Sequence, residues 1–307
     1  MNQANELQEK FGHDNHIVFE QLDNGIVLAK IDNAFATAIV SLYGGQVIQW
    51  QPKSQVLPVL WMSDLAQYLP GKAIRGGIPV CWPWFGAHPE ETKLPSHGYA
   101  RISECKITSV ATDLSGATVL CMAWSAPDDH LGLSGIPATL SIRITVGEFL
   151  SVELTTTSTA SETITFTEAL HTYFKVSDIS RVQIFGLNAC RYVDLIDNNS
   201  IKTQSDSISF SEETGRVYVS TDADCFLVDP GLKRTIRVSK SGSQSTVVWN
   251  PWLDTATKMD DLGPTGWKTM VCIESANALQ NTVTLEPGGH HTLVVNYSVM
   301  DEPPEHL

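Results

Sequence analysis

Short runs in which polar and apolar residues alternate recur along the chain and predict β-strands. Residues 139–146 read Thr-Leu-Ser-Ile-Arg-Ile-Thr-Val, as expected for a strand with one face in water. Similar runs rich in β-branched residues occur at 151–157, 163–167, 245–249, 282–285 and 291–297. This pattern predicts an all-β protein built as a large antiparallel β-sandwich.

Turn residues separate these runs, as in Leu-Asp-Asn-Gly at 22–25 and Glu-Pro-Gly-Gly at 286–289. Helical signals are few: residues 63–69 are expected to form one short helix, capped by Ser63 and ended by Pro70. The lack of long amphipathic helices argues against a barrel of alternating strands and helices. We expect a single domain over residues 1–307, with a core at about 17–297 and short polar tails.

The charge of the chain limits its partners. Of 307 residues, 42% are hydrophobic, enough for a large core, and the formal net charge is -14. An acidic protein is unsuited to nucleic acid or an anionic membrane, but a few arginines can still create a local site for an anionic small molecule. No apolar run approaches the roughly 18 residues of a membrane span, and no signal peptide is visible, so we expect a cytoplasmic protein, most simply a monomer.

Metal and cofactor motifs are missing from the sequence. It has no nucleotide-binding glycine loop and no serine-nucleophile elbow. The histidines at 13, 16, 290 and 291 lack acidic or thiol residues at metal-ligand spacing and are expected at the surface. The six cysteines are scattered and predicted to be free thiols in or near the core: Cys81, Cys105, Cys121, Cys190, Cys225 and Cys272. We therefore expect no metal and no cofactor.

Two stretches combine arginine with glycine and aromatic residues. Residues 73–86 read Ala-Ile-Arg-Gly-Gly-Ile-Pro-Val-Cys-Trp-Pro-Trp-Phe-Gly, in which Arg75 precedes glycines that allow a ligand to approach the backbone. Residues 95–101 read Pro-Ser-His-Gly-Tyr-Ala-Arg and offer His97 and Arg101. Aromatic rings suit sugar C–H faces, and guanidinium groups suit phosphate oxygens. An ordinary salt bridge or turn would explain either stretch equally well.

Two further stretches offer an acid and a base. If Phe-Thr-Glu-Ala-Leu-His-Thr-Tyr-Phe at 166–174 is a strand, His171 and Tyr173 share one face, and Glu168 lies on the other. Glu274 follows an apolar run in Met-Val-Cys-Ile-Glu-Ser-Ala-Asn, where burial would raise its pKa and strengthen it as a base. A core histidine with a hydrogen-bond partner remains the alternative for His171. The segment Val-Val-Trp-Asn-Pro-Trp at 247–252 could add an aromatic wall through Trp249.

Taken together, these stretches resemble the hexose-6-phosphate mutarotase branch of the aldose 1-epimerase family. The similarity lies in R-G-G-I-P with W-P-W-F-G, H-G-Y-A-R, E-A-L-H-T-Y-F, V-V-W-N-P-W and C-I-E-S-A-N, which occur in the family's order. It implies a galactose-mutarotase-like β-sandwich with the sugar on its concave face. It also implies interconversion of the α and β anomers of a hexose 6-phosphate, most simply glucose 6-phosphate.

The resemblance implies a role for each matched residue. His171 would be the general acid and Glu274 the general base, while Arg75 and Arg101 would hold the substrate. His97 and Trp249 would line the sugar site, and Ser96 occupies a position that contacts substrate in relatives, often as Gln. One departure concerns a sugar-binding Asp that this chain replaces with Gly215. Glu213 could substitute for it, or the contact could be lost.

Three alternatives remain open. The chain could be a non-catalytic carbohydrate-binding or sugar-sensing protein on the same fold. It could be a mutarotase for neutral aldoses, although two arginines are then hard to explain. It could be a sugar lyase or hydrolase, because fold does not fix function. Hydrolysis normally needs two carboxylates that flank the bond, and only Glu274 stands out here.

Overall fold

The computed structural model describes residues 2–12, 16–124 and 136–302, and antiparallel strands make up most of these ranges. A four-stranded sheet near the N-terminus pairs its strands in chain order: β1 (Ile17–Gln21), β2 (Val27–Asp32), β3 (Ala36–Ser41) and β4 (Gln46–Pro52). A small two-stranded sheet consists of β10 (Ile164–Phe166) and β21 (Val283–Leu285).

Two eight-stranded sheets form the body of the fold. The first contains β5 (Val80–Cys81), β11 (Glu168–Leu170), β12 (Tyr173–Lys175), β14 (Arg191–Asp194), β15 (Ser200–Thr203), β16 (Thr214–Val219), β19 (Ser245–Asn250) and β20 (Met270–Asn277). Its order is β15-β14-β16-β19-β20-β11-β5, with β12 also paired to β20. We call it the site sheet.

The second eight-stranded sheet lies on the other side of the core. It contains β6 (Cys105–Thr112), β7 (Thr118–Trp124), β8 (Ala138–Val146), β9 (Leu150–Ser158), β13 (Gln183–Phe185), β17 (Cys225–Asp229), β18 (Arg234–Ser241) and β22 (His290–Met300). Its order is β13-β17-β18-β22-β9-β8-β7-β6. Helical segments are short: α1 (Gln3–Phe11), α2 (Trp252–Ala256), α3 (Gly263–Gly266), and 3₁₀ turns at Ala100–Ile102, Ile179–Arg181, Trp267–Thr269 and Leu279–Asn281.

Side chains from the two large sheets meet in one apolar core. The rings of Phe174 and Tyr297 lie 5.9 Å apart, and the Thr172 and Tyr297 hydroxyls are hydrogen bonded at 2.6 Å. Nearby, the Trp82 indole N–H donates to the hydroxyl of Thr156, 3.0 Å away. Burial of such large apolar surfaces is the main stabilising term in folding. The sandwich predicted from the alternating pattern is confirmed.

The predicted strands are confirmed, whereas the predicted helix at 63–69 is wrong. Residues 63–69 form a turn in which the Ser63 hydroxyl accepts from the Leu65 amide. The Ser63 amide itself donates to Arg75 O, and Met62 is paired with Gly76, so the start of the segment is held against the loop that contains Arg75. A helix of seven residues gains too few internal hydrogen bonds to compete with these contacts.

The N-terminal segment, expected as a polar tail, instead contains the helix α1 (Gln3–Phe11), capped by the Asn2 side chain. Ala4 and Phe11 are buried, and the Gln8 side chain accepts a hydrogen bond from the Phe19 amide on β1. The predicted tail residues 13–15 and 303–307 lie outside the described residues. None of the described helices has both the length and the apolar character needed to cross a membrane.

Candidate active site

Register on the site sheet brings His171 and Glu274 together. Leu170 on β11 is paired with Ser275 on β20, and Tyr173 on β12 is paired with Cys272. The register is therefore the same on both sides of the interruption between β11 and β12. His171 falls opposite Glu274, and cross-strand neighbours on one face of a sheet are close enough to interact.

The two side chains are in contact and shielded from water. His171 Nε2 lies 3.5 Å from Glu274 Oε1, and the side chains are only 9% and 2% exposed. Among the described residues, neither His171 Nδ1 nor Glu274 Oε2 has a hydrogen-bond partner. Buried polar atoms normally have partners. The unpaired polar atoms of this pair are typical of a ligand-binding site.

Aromatic rings surround the pair. The His171 imidazole stacks on Tyr173 with ring centroids 4.9 Å apart, which confirms that residues 171 and 173 share a face. Trp249 on β19 is paired with Cys272, and its ring meets His171 edge-on at 6.0 Å. The floor beside them is apolar and small: Cys81, Ala169, Val217, Val247 and Ala276. We call this side of the sheet the site face.

Arg75 approaches the site from the loop before β5. Its guanidinium donates to the Tyr173 hydroxyl at 2.8 Å and pairs with Asp261 at 3.1 Å. The loop lies so close to β4 that a Cβ at Gly77, where φ is +63°, would meet Val47 O at 2.2 Å. Only glycine fits this position. The glycines after Arg75 therefore set the path of the loop that presents the guanidinium.

His97 and Arg101 come from a tight loop on the other side of the pair. The His97 ring meets the His171 ring edge-on at 5.5 Å, and its Nδ1 accepts from the Gly86 amide. His97 adopts φ +63°, and the next residue, Gly98, packs so closely on Trp82 that a Cβ would lie 2.1 Å from Trp82 O. This backbone aims the imidazole at His171.

The local field disfavours charge on both members of the pair. Burial, and then the charges of His97, Arg101 and Arg75, lower the pKa of His171 well below the ordinary histidine value. Burial raises the pKa of Glu274 well above that of an ordinary glutamate, although Arg101 opposes this shift. Burial, and then the two arginines, also lower the pKa of His97 to about 3. The unliganded pair therefore favours a protonated Glu274 beside a neutral His171.

Most residues predicted for the site do meet, and Ser96 and Glu213 have contacts of their own within the chain. Ser96 is exposed, and its backbone carbonyl rather than its hydroxyl accepts from Arg101, at 2.6 Å. The Glu213 carboxylate accepts from Thr255 at 2.7 Å. Glu213, considered as a substitute for the carboxylate missing at Gly215, therefore has one oxygen in a hydrogen bond with Thr255. Gly215 itself is paired with Trp249.

Sequence reasoning missed Asp261 and Cys272 as contributors to the site, and it placed Tyr173 on the face of His171 without giving it a role. Asp261, which holds Arg75, lies between the short helices α2 and α3 and belongs to no recognisable motif. Tyr173 and Cys272 did carry a signal, because Tyr173 lies two residues after His171, and Cys272 lies two residues before Glu274 on β20. The period of two places both on the site face. Glu168 and His291, by contrast, meet on the opposite face, and His291 is half-buried there rather than at the surface as expected.

Comparison with known proteins points to one family. The sequence profile described as aldose 1-epimerase matches residues 28–298. A protein from Cenchrus ciliaris, provisionally named glucose-6-phosphate 1-epimerase, is 36% identical over 260 residues, which are 82% of this chain and 78% of that protein.

Solved structures give the same answer for the fold. A provisionally assigned mutarotase from Salmonella typhimurium superposes with a TM-score of 0.87 at 28% identity, covering 94% of this chain and 95% of that one. A galactose mutarotase-like protein from Lactobacillus casei has a TM-score of 0.70 at 16% identity, covering 89% and 100%. The second likeness concerns the fold alone.

Proposed function

The chain belongs to the aldose 1-epimerase family, and from that premise we propose that it interconverts the α and β anomers of a hexose 6-phosphate. Glucose 6-phosphate is the first candidate, because the Cenchrus ciliaris relative is named for it. The observation that carries the proposal is the contact between His171 and Glu274 on the buried site face, with two arginines nearby.

In the proposed reaction, Glu274 takes the proton of the C1 hydroxyl while His171 donates a proton to the ring oxygen. The C1–O5 bond breaks, the aldehyde rotates about C1–C2, and closure on either face returns both protons. The two reacting oxygens share one carbon, so an acid and a base 3.5 Å apart can serve both. Positioned acid and base groups each contribute roughly 10²–10⁴-fold in rate.

Substrate charge would prepare the acid for this chemistry. Burial, and then the positive charges of His97, Arg101 and Arg75, lower the pKa of His171 in the unliganded protein. A phosphate dianion bound beside the two arginines offsets their field and favours the imidazolium form of His171. A neutral aldose lacks this effect. The arrangement therefore supports a phosphorylated substrate over a neutral one.

The pocket walls supply orientation. Trp249 is partly exposed beside the acid–base pair and presents apolar surface for a sugar ring, while the buried Tyr173 ring supports His171. His97 is held by its bond with the Gly86 amide, which leaves Nε2 to reach a substrate hydroxyl. Ser96 sits at the exposed rim, where a substrate could reach it. The acid–base pair supports this isomerase proposal over the sugar-sensing alternative, which requires no proton transfer.

The test is anomer exchange of glucose 6-phosphate measured by NMR magnetisation transfer, with glucose alongside. We expect the wild type to accelerate exchange of the phosphorylated sugar and the Glu274→Gln variant to lose this acceleration. Binding without acceleration by the wild type would refute the isomerase proposal and favour sugar sensing. Equal acceleration of both sugars would refute the phosphate preference. A cytoplasmic location, a monomeric state and a single domain over residues 1–307 remain predictions from the sequence.

A further inference from the structure

Three buried groups on the site face lie at the spacing of metal ligands. One ring nitrogen of His171, the thiol sulfur of Cys272 and a carboxylate oxygen of Glu274 all lie within 4.8 Å of one another. Cys272 and Glu274 are two residues apart on β20. Cys272 is paired with Tyr173, which lies two residues after His171. The sheet register, rather than flexible loops, therefore fixes this cluster.

The distance between the ligand atoms and the unpaired carboxylate oxygen fit a four-coordinate metal ion. His171 Nε2 and Glu274 Oε1 are 3.5 Å apart, close to the edge of about 3.3 Å in a tetrahedral zinc site. Glu274 Oε2 is buried and has no hydrogen-bond partner among the described residues. A bound cation would satisfy this oxygen, which no hydrogen bond among the described residues does.

The donor set selects the type of ion. One thiolate, one imidazole and one carboxylate are the ligands that zinc prefers, whereas magnesium and calcium need six or more oxygen ligands. A dication with a thiolate and a carboxylate forms a neutral unit, which a buried site tolerates much better than a free charge. The thiol and carboxyl protons pass to the buffer as the metal binds.

We propose that His171, Cys272 and Glu274 bind Zn²⁺ or a similar thiophilic divalent ion, and that the bound ion blocks the reaction. Three ligands come from the floor of the site, so the fourth position faces the space where the sugar binds. The blocking effect rests on the proposed function, because the ion takes up the acid and the base. Metal binding itself does not depend on that function.

Cobalt provides the first test, because a Co²⁺–thiolate bond gives a charge-transfer absorption in the near ultraviolet. We expect this band when the metal-free wild type is titrated with Co²⁺, and Zn²⁺ should remove it by displacement. The Cys272→Ser variant should lack the band. The matched variant Cys121→Ser, which alters a half-buried thiol on β7, should retain it. No band in the wild type, or an unchanged band in Cys272→Ser, would overturn the proposal.

The Glu274→Gln variant serves as a second test, in case Cys272→Ser fails to fold. It keeps the thiol but loses one ligand, so Co²⁺ affinity should fall by more than the roughly 10–100-fold that an outer-shell change costs. Affinity equal to that of the wild type would contradict the proposed ligand set.

Anomer exchange tests the blocking effect. Equimolar Zn²⁺ should suppress exchange in the wild type and in Cys121→Ser, and a chelator should restore it. A full exchange rate in the zinc-saturated protein would overturn the blocking effect. If the metal-free protein shows no exchange at all, the proposed function fails, while the cobalt spectrum still decides whether the metal site exists.

Discussion

A buried glutamate on each face of the site sheet contacts a histidine, and the two glutamate–histidine pairs are held differently. On the core face, Glu168 is paired in register with Asn277, whose amide donates to Glu168 Oε1 at 3.0 Å. His291 from the opposite sheet lies 3.1 Å from the same oxygen. On the site face, three residues along, His171 and Glu274 lie 3.5 Å apart with no third group bridging them among the described residues.

Electrostatics separates the pairs further. The hydrogen bond that His291 donates to Glu168 raises the pKa of His291, against the effect of burial, so that histidine is stabilised as a cation. Burial and nearby positive charge lower the pKa of His171 instead. The two pairs therefore differ in the number of partners on Oε1: Asn277 and His291 hold that oxygen of Glu168, whereas that oxygen of Glu274 meets His171. The second oxygen of each carboxylate has no hydrogen-bond partner among the described residues. The less firmly held pair, beside the arginines, is the better candidate for proton transfer.

Replacement of Glu274 and of Glu168 by glutamine, in separate variants, should give the largest difference between the two faces. Glu274→Gln is expected to reduce catalysed anomer exchange by roughly 10²–10⁴-fold, because the base is lost. Glu168→Gln alters the matching residue on the other face and should leave the exchange rate within a few-fold of the wild type. NMR magnetisation transfer measures both. A similar loss of exchange rate in the two variants would show that the two faces do not have separate catalytic and structural roles.

Replacement of Arg75 tests whether this arginine supplies the positive charge that holds the substrate on the site face. Arg75→Gln is expected to raise the KM for glucose 6-phosphate by roughly 10–100-fold, the cost of a charged hydrogen bond. Arg143→Gln, which alters an exposed arginine paired with Glu153 on the other sheet, is the matched control. Initial rates at varied substrate concentration decide. An unchanged KM in Arg75→Gln would mean that this guanidinium does not hold the phosphate.

The effects of the two glutamine variants on stability should have the opposite order to their effects on the exchange rate. Glu168→Gln is expected to lower the free energy of unfolding by about 1–3 kcal/mol, because it leaves His291 without its anionic partner and disturbs Asn277. Glu274→Gln should leave stability unchanged or raise it, since a poorly satisfied buried acid is removed. Urea denaturation at neutral pH measures both values. A greater loss of unfolding free energy in Glu274→Gln than in Glu168→Gln would reverse the catalytic and structural roles assigned to the two faces.

A smaller effect concerns pH. The pKa of His171 is lowered in the folded chain, so the unfolded chain binds a proton first as pH falls through about 6.5. The wild type therefore loses stability below that pH, and His171→Gln escapes this loss. Between about pH 8 and about pH 5, the variant should gain roughly 1 kcal/mol or more relative to the wild type in urea denaturation. A constant difference would show that His171 titrates normally.

The sequence predicts more of the sheets than of the contacts between them. Alternation locates β8 and β9 to within one residue at each end, because successive side chains of a strand point to opposite faces. The motifs single out His171 and Glu274, but their contact depends on the register of β20, which no local pattern encodes. Helix α1 had a weak signal in the spacing of Leu7 and Phe11, which its polar residues obscured. Asp261 had none, because only the fold brings its loop to Arg75.

The interruption between β11 and β12 also limits how this chain can change length during evolution. The Thr172 amide bonds back to Leu170 O, yet residues on both sides stay in register with β20. Adding or deleting one residue here would turn every following side chain to the opposite face. Such a change would exchange the environments of Tyr173 and Phe174 and separate the histidine from its aromatic neighbour. Variation within this stretch is therefore expected to proceed by substitution, with insertions and deletions confined to surface loops.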